Sequence, residues 1–434
     1  MNFAEVKLWG KTIGAVSWDE NTRLANFEYD PEFTESGIEV APLTMPLSER
    51  IYAFPALPRE TFHGLPGLLA DSLPDDFGNA LINAWLAKEG REPGSFNPVE
   101  RLCYTGDRGM GALEYAPSEG PSGTKAEQID LGALVALASE ILSRRNDLQG
   151  SFAPVGREDS LQDILRVGTS AGGARAKAII AWNPVTNEVR SGQIKTGSGF
   201  SYWLLKFDGV AGNKDKELED PAGYGLIEYA YYKMALAAGI TMKECRLLKE
   251  NGRSHFMTRR FDRTDRGQKI HMQSFGAMEH FDFKQAGAYA YEQALRTIRK
   301  LEMPMASVEE QFRRMAFNII GRNQDDHVKN IAFLMDQSGT WSLSPAFDMT
   351  YSYNPSGAWT RDHQLSLNGK RDRFAVEDFK ACAKTASMKR GRAEQILQEV
   401  QDAVLNWNDF AKAVGVPDDL AQRIAKAQRT DILK

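Results

Sequence analysis

The chain has 434 residues, which is too long for one ordinary hydrophobic core, so we expect two or three domains. With 42% hydrophobic and 26% charged residues, it has the composition of a folded protein and not of a disordered one. A net charge of −5 excludes a surface made overall for nucleic acid, so any DNA association requires a local patch or a partner. Three widely spaced cysteines argue against disulfides and a zinc site, and no apolar run approaches membrane-spanning length. We therefore expect a cytoplasmic protein without a membrane segment.

The first 116 residues have the pattern of a small α+β domain. Alternating and turn-forming residues predict strands and helices in this order: strands Phe3–Trp9, Thr12–Trp18 and Arg23–Tyr29, helices from about Pro74 to Ala87 and over Asn97–Leu102, and a strand at Gly109–Tyr115. Asp71, Asp75 and Asp76 are better explained by the preference for acids at a helix N-terminus than by a metal site. A turn-rich stretch over residues 117–124 gives the first domain boundary.

A loop of small residues follows a predicted helix at Leu131–Leu142. Between residues 165 and 176 the chain is rich in glycine, alanine and serine and then runs into a strand. Backbone amides in such a loop can approach phosphate oxygens closely, and Arg175 or Lys177 can add positive charge. The loop has neither the Walker ending nor the Gly-x-Gly-x-x-Gly of dinucleotide sites, so a simple hairpin turn explains it about as well.

A lysine on a strand and a glutamate on the following helix have the order of a kinase ion pair. The strand Tyr202–Phe207 carries Lys206, and the nearly all-apolar helix Tyr224–Ala238 carries Glu228. A charge on a buried helix needs a partner, and in kinases such a pair positions the α- and β-phosphates of ATP. The alternative is that the two are unrelated surface charges.

A helix rich in apolar residues leads into the most polar loop of the second half. An apolar stripe between Phe312 and Ile320 predicts the helix, Ser307 and Glu310 predict a capping box at its start, and Gly321 predicts its end.

The loop and the hairpin after this helix have the order that phosphoryl transfer from ATP requires. Ile331–Met335 and Thr340–Leu343 predict a hairpin, with Asp325 and Asn330 before it and Asp348 after it. Four residues separate Asp325 from Asn330, the spacing of the base and the metal-binding Asn in protein kinases. A carboxylate can accept the proton of the attacking hydroxyl, while an amide oxygen and a second carboxylate hold Mg²⁺.

Two alternatives remain open at this loop. Asp326 has the wrong spacing to Asn330 and is the weaker candidate for the base. Asp and Asn are also common turn formers, so the loop residues alone are a weak signal. The order of helix, loop, hairpin and Asp strengthens the chemical interpretation.

Together these elements predict an α+β, two-lobed fold like that of protein kinases. The predicted domains are an N-terminal subdomain over residues 1–116, an N-lobe over 126–262 with the phosphate loop and the ATP lysine, and a helical C-lobe over 263–434. ATP would bind between the lobes, with the strand His255–Arg263 providing the hinge at Arg259 to Phe261.

Several motifs resemble the HipA family, whose members are serine/threonine kinases acting as toxins of bacterial toxin–antitoxin modules. The resemblance lies in four stretches of the C-terminal part and, more loosely, in Leu65–Asp75; the four are Gly321–Asn330, Leu343–Asp348, Arg260–Arg263 and Ile270–Gln273. It covers nearly the whole chain and implies the use of ATP and Mg²⁺.

By position, the resemblance implies that Asp325 is the catalytic base, that Asn330 and Asp348 bind Mg²⁺, and that Lys206 binds ATP phosphates. Ser170–Lys177 matches the family's phosphate loop, whose serine is autophosphorylated, although Arg175 and Ala176 depart from the family pattern. The candidate nucleotide-binding residues are Ser170, Ala171, Gly172, Gly173, Lys177, Lys206, Glu228, Arg259, Phe261, His327 and Lys329.

The resemblance also implies partners. It predicts a small helix-turn-helix antitoxin, contact with operator DNA through that antitoxin, and an aminoacyl-tRNA synthetase as the protein substrate. Two other functions stay open: a small-molecule kinase of the aminoglycoside-phosphotransferase type, and an ATP-binding corepressor without kinase activity.

Overall fold

The structure is a computed structural model. It describes residues 2–433 except 93, 121–128, 145–163, 165–167, 169–174, 194–195, 211–213, 216–217, 220–222 and 265. The described strands are β1 (Phe3–Leu8), β2 (Lys11–Asp19), β3 (Leu24–Tyr29), β4 (Leu113–Ala116), β5 (Lys177–Trp182), β6 (Val189–Ser191), β7 (Ser201–Lys206), β8 (Lys214–Asp215), β9 (Leu218–Glu219), β10 (Cys245–Glu250), β11 (Arg253–Arg259), β12 (His271–Ser274), β13 (Tyr289–Ala290), β14 (Ala332–Met335), β15 (Trp341–Leu343) and β16 (Leu365–Ser366).

The described α-helices are α1 (Pro31–Thr34), α2 (Arg59–Phe62), α3 (Gly67–Ala70), α4 (Asp76–Lys88), α5 (Pro98–Thr105), α6 (Leu131–Arg144), α7 (Tyr224–Ala237), α8 (Phe275–Glu279), α9 (Tyr291–Lys300), α10 (Met305–Ile320), α11 (Val376–Thr385), α12 (Arg392–Leu405), α13 (Trp407–Val414) and α14 (Asp418–Ala427). The helices and strands divide into two compact units. Unit 1 comprises Met1–Ala222, Leu248–Gln273 and Met335–Gly339, and unit 2 comprises Gly223–Leu247, Ser274–Leu334 and Thr340–Lys434.

Unit 1 contains two main sheets. The first has the strand order β3-β2-β1-β4 and is antiparallel throughout. Along β1 the residues alternate between buried and partly exposed, as expected when one face of a sheet packs on a core. The second sheet has the order β10-β11-β7-β5-β6, and every residue of β5 is buried. Its antiparallel pairing places Lys206 of β7 opposite both Lys177 and Phe256.

Helices α4 and α6 share a hydrophobic core with the second sheet. The core includes apolar residues from both helices and from β5, β7 and β11, among them Phe77, Leu81, Leu134, Ile141, Ala178, Leu205 and Met257. Residues from both sides of the turn-rich stretch at 117–124 thus pack together in one unit. The subdivision into residues 1–116, 126–262 and 263–434 stays a prediction.

A buried charge cluster fixes the end of β11 within unit 1. The Asp262 carboxylate accepts hydrogen bonds from Arg260 (2.6 and 2.8 Å), from Arg263 (2.8 Å) and from the backbone N–H of Gly111 (2.8 Å). Burial alone would raise the pKa of Asp262, but the two guanidinium groups hold it well below its usual range. The cluster ties the chain after β11 to the loop before β4.

Unit 2 is mostly helical, as predicted, but two predicted details are wrong. Ser307 and Glu310 do not form a capping box, because α10 begins at Met305, directly after Pro304, whose fixed φ suits a helix start. The apolar periodicity from Ala393 to Val414 predicts a single helix, but the structure has two helices that meet at Asn406. The Asn406 side chain donates to the backbone oxygen of Asp402 (2.9 Å), which is the local competition by which Asn interrupts helices.

The predicted hairpin after the polar loop is confirmed. Strands β14 and β15 are neighbours, and the turn between them has Gly339 in the left-handed conformation. The predicted end of α10 at Gly321 and the helix around Glu228 are also confirmed, and Glu228 is buried in α7. The part of the chain that the structure describes has no helix long and apolar enough to cross a membrane.

Candidate active site

The loop after α10 is anchored from its first residues. The Tyr231 hydroxyl of α7 donates to the backbone oxygen of Gly321 (2.6 Å). Two residues later, the Asn323 side chain donates to the Asn318 side-chain oxygen in the last turns of α10 (2.9 Å). The loop therefore leaves the helix in one defined direction.

Ser352 holds the backbone at the candidate base. Its hydroxyl oxygen accepts hydrogen bonds from the backbone N–H groups of Gln324 (2.8 Å) and Asp325 (3.0 Å), and it donates to the Asn323 side-chain oxygen (3.0 Å). Three successive residues of the loop are thus fixed by one buried hydroxyl group. No local sequence pattern singles out Ser352.

The Asp325 carboxylate is oriented and remains accessible. Its Oδ1 accepts a hydrogen bond from the indole N–H of Trp359 (2.6 Å) and lies 4.0 Å from Nε2 of His327. The Asp325 side chain keeps 23% of its surface exposed. A carboxylate held in this way can accept a proton from a hydroxyl group that reaches it.

Asn330 and Asp348, the predicted metal ligands, are fixed by contacts of the same loop. The Asn330 amide donates to the backbone oxygen of Asp325 (2.8 Å), so its own side-chain oxygen is the atom that suits a cation. Asp348 follows β15 with φ +53°, a conformation that is costly for a residue other than glycine. Its backbone oxygen accepts from the Asn323 side chain (3.3 Å). Strained residues of this kind concentrate at functional sites.

The donor chemistry of these two residues fits Mg²⁺. Mg²⁺ prefers oxygen ligands and is commonly held by one or two protein groups together with phosphate oxygens, which matches one carboxylate and one amide oxygen. Within the described ranges, three or more His, Cys, Asp or Glu side chains nowhere gather in a way that could hold a metal by themselves. Asn330 and Asp348 would therefore hold the cation jointly with a nucleotide.

Asp326 is buried, and its carboxylate contacts neighbouring residues of the protein. Its carboxylate accepts from the Tyr291 hydroxyl (2.5 Å) and the backbone N–H of Gln364 (2.8 Å), and it lies 2.7 Å from Nδ1 of His363. Burial alone would raise the pKa of Asp326, but His363, Tyr291 and the Gln364 amide lower it below its usual value. A buried carboxylate whose two oxygens already accept hydrogen bonds, and whose pKa is lowered, is a poor proton acceptor, which supports the lower rank of Asp326 as a base.

Arg429, near the end of the chain, completes this buried network. Its guanidinium lies 2.9 Å from Nε2 of His363, donates to the backbone oxygen of Ile319 (3.0 Å) and pairs with Asp372. Burial lowers the pKa of His363, and the nearby Asp326 only partly offsets this, so His363 is neutral and bridges Asp326 to Arg429. The network joins the loop of the candidate base to the segment after α14.

His327 and Lys329 surround Phe283 on the other flank of the loop. The His327 ring meets the Phe283 ring edge-on with centroids 5.6 Å apart, and Nζ of Lys329 lies 4.9 Å from the Phe283 centroid. These contacts place both predicted nucleotide-binding residues beside the candidate base within unit 2. Their contact with a nucleotide stays a prediction.

The predicted residues of unit 1 have separate environments. Nζ of Lys206 lies 5.7 Å from the Phe256 ring centroid on the neighbouring strand. Lys177 is buried, and its Nζ lies 3.1 Å from the Asp75 carboxylate at the start of α4. Burial raises the pKa of Asp75 to about 6, against the opposing effect of Lys177. Phosphate binding by Lys177 would require it to leave or share this partner.

The remaining predicted positions are divided between the units and the undescribed part of the chain. Arg259 ends β11 and Phe261 is buried just after it, both in unit 1, whereas Glu228 belongs to unit 2. The pairing of Lys206 with Glu228 and the hinge at Arg259 to Phe261 stay predictions. Four of the candidate nucleotide-binding residues lie outside the described residues: Ser170, Ala171, Gly172 and Gly173.

Protein families and solved structures with similarity to this chain bear on its identity. Residues 4–116 match the family model of the HipA N-terminal domain, and residues 169–408 match that of the HipA-like C-terminal domain. No curated protein sequence matches the chain. A solved structure from Shewanella oneidensis MR-1, HipA of a toxin–antitoxin system in complex with HipB and operator DNA, shares 16% identity at a TM-score of 0.67. That match covers 98% of this chain and 95% of the other.

A second solved structure is much less similar. The Helicobacter pylori proinflammatory kinase CtkA has 12% identity and a TM-score of 0.34, over 54% of this chain and 89% of its own. The Shewanella structure, in contrast, is similar over almost the entire fold, which confirms the expected α+β class. Since the two family models together match most of the sequence, including both motifs of the candidate site, the chain belongs to the HipA family.

Proposed function

We propose that this protein is an ATP- and Mg²⁺-dependent serine/threonine protein kinase of the cytoplasm that acts as the toxin of a toxin–antitoxin module. The observation that carries the proposal is the arrangement at Asp325. Its backbone is fixed by Ser352, its carboxylate is oriented and accessible, and its backbone oxygen binds the Asn330 amide. One loop therefore presents a proton acceptor and a candidate metal ligand together.

In the proposed mechanism, each residue has one task. Asp325 accepts the proton of the attacking serine or threonine hydroxyl, while Asn330 and Asp348 hold Mg²⁺. Lys206, positioned by Glu228, binds the α- and β-phosphates, and the loop from Ser170 to Lys177 covers them. ATP supplies the phosphoryl group, and Mg²⁺ neutralises the charge of its phosphates.

The remaining nucleotide contacts and the partners belong to the same proposal. Arg259 and Phe261 form the hinge beside the adenine, and His327 and Lys329 lie at the phosphates. A helix-turn-helix antitoxin restrains the kinase and carries it to operator DNA, an inference supported by the composition of the Shewanella complex. An aminoacyl-tRNA synthetase is the proposed substrate, together with Ser170 of the protein itself.

Asp325→Asn tests the proposal directly. The variant should retain ATP binding and lose phosphoryl transfer by about 10²- to 10⁴-fold, because a positioned general base contributes roughly that much. Wild type and variant are incubated with labelled ATP and Mg²⁺, once with cytoplasmic protein extract and once with a panel of small alcohols. Labelled protein that depends on Asp325 supports the proposal, whereas labelled alcohols alone would favour a small-molecule kinase. ATP binding without transfer by the wild type would indicate a corepressor.

A further inference from the structure

The indole ring of Trp359 binds the carboxylate of the candidate base directly. Its N–H donates to Oδ1 of Asp325 at a donor–acceptor distance of 2.6 Å. Hydrogen bonds to ionised acceptors are typically this short. An indole N–H is a donor only, so it can orient the carboxylate without competing for the proton. The exposed part of the Asp325 side chain leaves the carboxylate accessible to a hydroxyl group.

The chain around Trp359 is held by residues that flank the base. The buried Gln364 amide donates to the backbone oxygen of Trp359 (2.5 Å), while the backbone N–H of Gln364 donates to Asp326 (2.8 Å). From the other side, the Gln324 amide donates to the backbone oxygen of Arg361 (2.8 Å). Gln324 directly precedes the base and Asp326 directly follows it. The position of the indole is therefore set by the same loop that carries the carboxylate it binds.

We propose that Trp359 is a positioning residue for phosphoryl transfer, an inference that rests on the proposed kinase function. The last side-chain bond of an aspartate rotates over a broad range, so an unrestrained carboxylate samples many orientations. The indole N–H fixes one oxygen of Asp325 and directs the other toward the substrate hydroxyl. Holding a reacting group in one geometry contributes to the chemical step and not to the binding of the nucleotide.

Removal of the N–H alone tests this role. Trp359→Phe retains an aromatic ring, and 3-benzothienylalanine at position 359 retains the shape of the indole with sulfur in place of N–H. Purified full-length protein is followed by self-phosphorylation and ATP turnover at saturating Mg²⁺. Both variants should lower kcat by about 10- to 100-fold, part of the contribution of an oriented base, and leave KM for ATP within about twofold.

A matched control and a spectroscopic measurement separate positioning from general damage. Trp9→Phe removes an indole N–H that donates to the backbone oxygen of Lys269 (2.9 Å), from a residue with no proposed role in transfer. It should leave kcat unchanged. The indole N–H resonance of Trp359, identified by its absence in Trp359→Phe, should shift in Asp325→Asn because its acceptor loses its charge.

Four results would contradict the inference or the kinase function on which it rests. A benzothienylalanine enzyme with the kcat of the wild type would make the N–H irrelevant, and a higher kcat would make the bond inhibitory. An indole N–H resonance that does not shift in Asp325→Asn would show that Trp359 does not donate to Asp325 in solution. Absence of any phosphoryl transfer by the wild type would refute the kinase function, and the resonance would then still report whether Trp359 binds Asp325.

Discussion

At the scale of single residues, Asp348 combines a special backbone conformation with the proposed chemistry. Its φ of +53° lies where an ordinary side chain is strained by about 1 kcal/mol or more, and glycine is not. If only the fold mattered, glycine would serve at least as well at this position. The proposed Mg²⁺ binding would give the carboxylate a use that compensates for this strain.

Asp348→Gly separates the two effects. The variant should keep its free energy of unfolding within about 1 kcal/mol of the wild type, because glycine adopts this φ without strain. Its affinity for an ATP analogue should become independent of Mg²⁺. In the presence of Mg²⁺ this affinity should be roughly tenfold or more below that of the wild type. Calorimetric titration with and without Mg²⁺ measures this. Asp336→Gly, in the exposed turn between β14 and β15, is the control and should bind as the wild type does. Mg²⁺-dependent binding by Asp348→Gly would contradict the assignment.

Ser170 is the second residue with a prediction of its own. We expect the protein to phosphorylate Ser170 and thereby to inactivate itself, because a phosphate adds about −2 of charge to a loop proposed to cover the phosphates of ATP. Mass spectrometry of protein incubated with ATP should find the phosphate on Ser170 in the wild type and not in Asp325→Asn. Thr169 is the alternative acceptor. Finding both residues unmodified in active enzyme would exclude this regulation.

The sequence predicts candidate chemical residues for the site but not the residues that hold them. The kinase spacing points to Asp325 and Asn330, and the hairpin after them points to Asp348; their roles in transfer stay predictions. Ser352 and Trp359 act through contacts between distant stretches of the chain, and no local pattern encodes such contacts. Lys177 shows the converse, since its motif suggests phosphate binding while its Nζ lies 3.1 Å from the Asp75 carboxylate in the structure.

At the scale of elements, the loop that carries the candidate base Asp325 is held in place by a segment far along the chain. Residues after α14 reach back to the end of α10, where the Arg429 backbone N–H donates to the oxygen of Ile320 (2.9 Å) and its side chain meets His363. Because His363 also binds Asp326, the last helices support the loop that carries the base. The stability of that segment and the activity should therefore change together.

Arg429→Met should lower both the stability of the fold and the rate of phosphoryl transfer. The variant leaves a buried backbone oxygen and the His363 ring without their donor, which costs about 2–3 kcal/mol of unfolding free energy. The rate of phosphoryl transfer should fall while the affinity for ATP changes little, since the affected contacts lie behind Asp326. Urea denaturation and turnover assays measure the two quantities. Arg423→Met, an exposed arginine of α14, should change neither. Equal stability and turnover in Arg429→Met would show that the loop is held by other contacts.

The elements themselves were largely predictable, and the failures have local causes. Apolar patterns predict α7, α10 and the strands β1, β2, β3, β7 and β11 to within a few residues, whereas no pattern predicts β6 or β10. The apolar pattern continues through Asn406 and so hides the break there, and the capping signal at Ser307 lies two residues after the observed start of α10 at Met305.

At the scale of the whole molecule, the chain must be considered with a partner. A kinase with the proposed target in translation would have to be restrained in the cell that makes it. The net charge of −5 gives no general attraction to DNA. We therefore propose that operator binding belongs to a separate basic protein.

The last prediction follows from that restraint. Expressed without a partner, the wild type should arrest growth and protein synthesis, whereas Asp325→Asn should be harmless and still bind the antitoxin, because a change of one carboxyl oxygen to an amide leaves the fold intact. Co-expression of the antitoxin should restore growth. The affinity of the purified complex for operator DNA should fall steeply as the salt concentration rises. The antitoxin alone should show a similar dependence of its DNA affinity on salt, since it supplies most of the phosphate contacts. Growth curves, amino-acid incorporation and DNA titrations at several salt concentrations test these points. Normal growth with active wild-type enzyme accumulating alone would leave a kinase whose substrate is metabolic or regulatory and not part of translation.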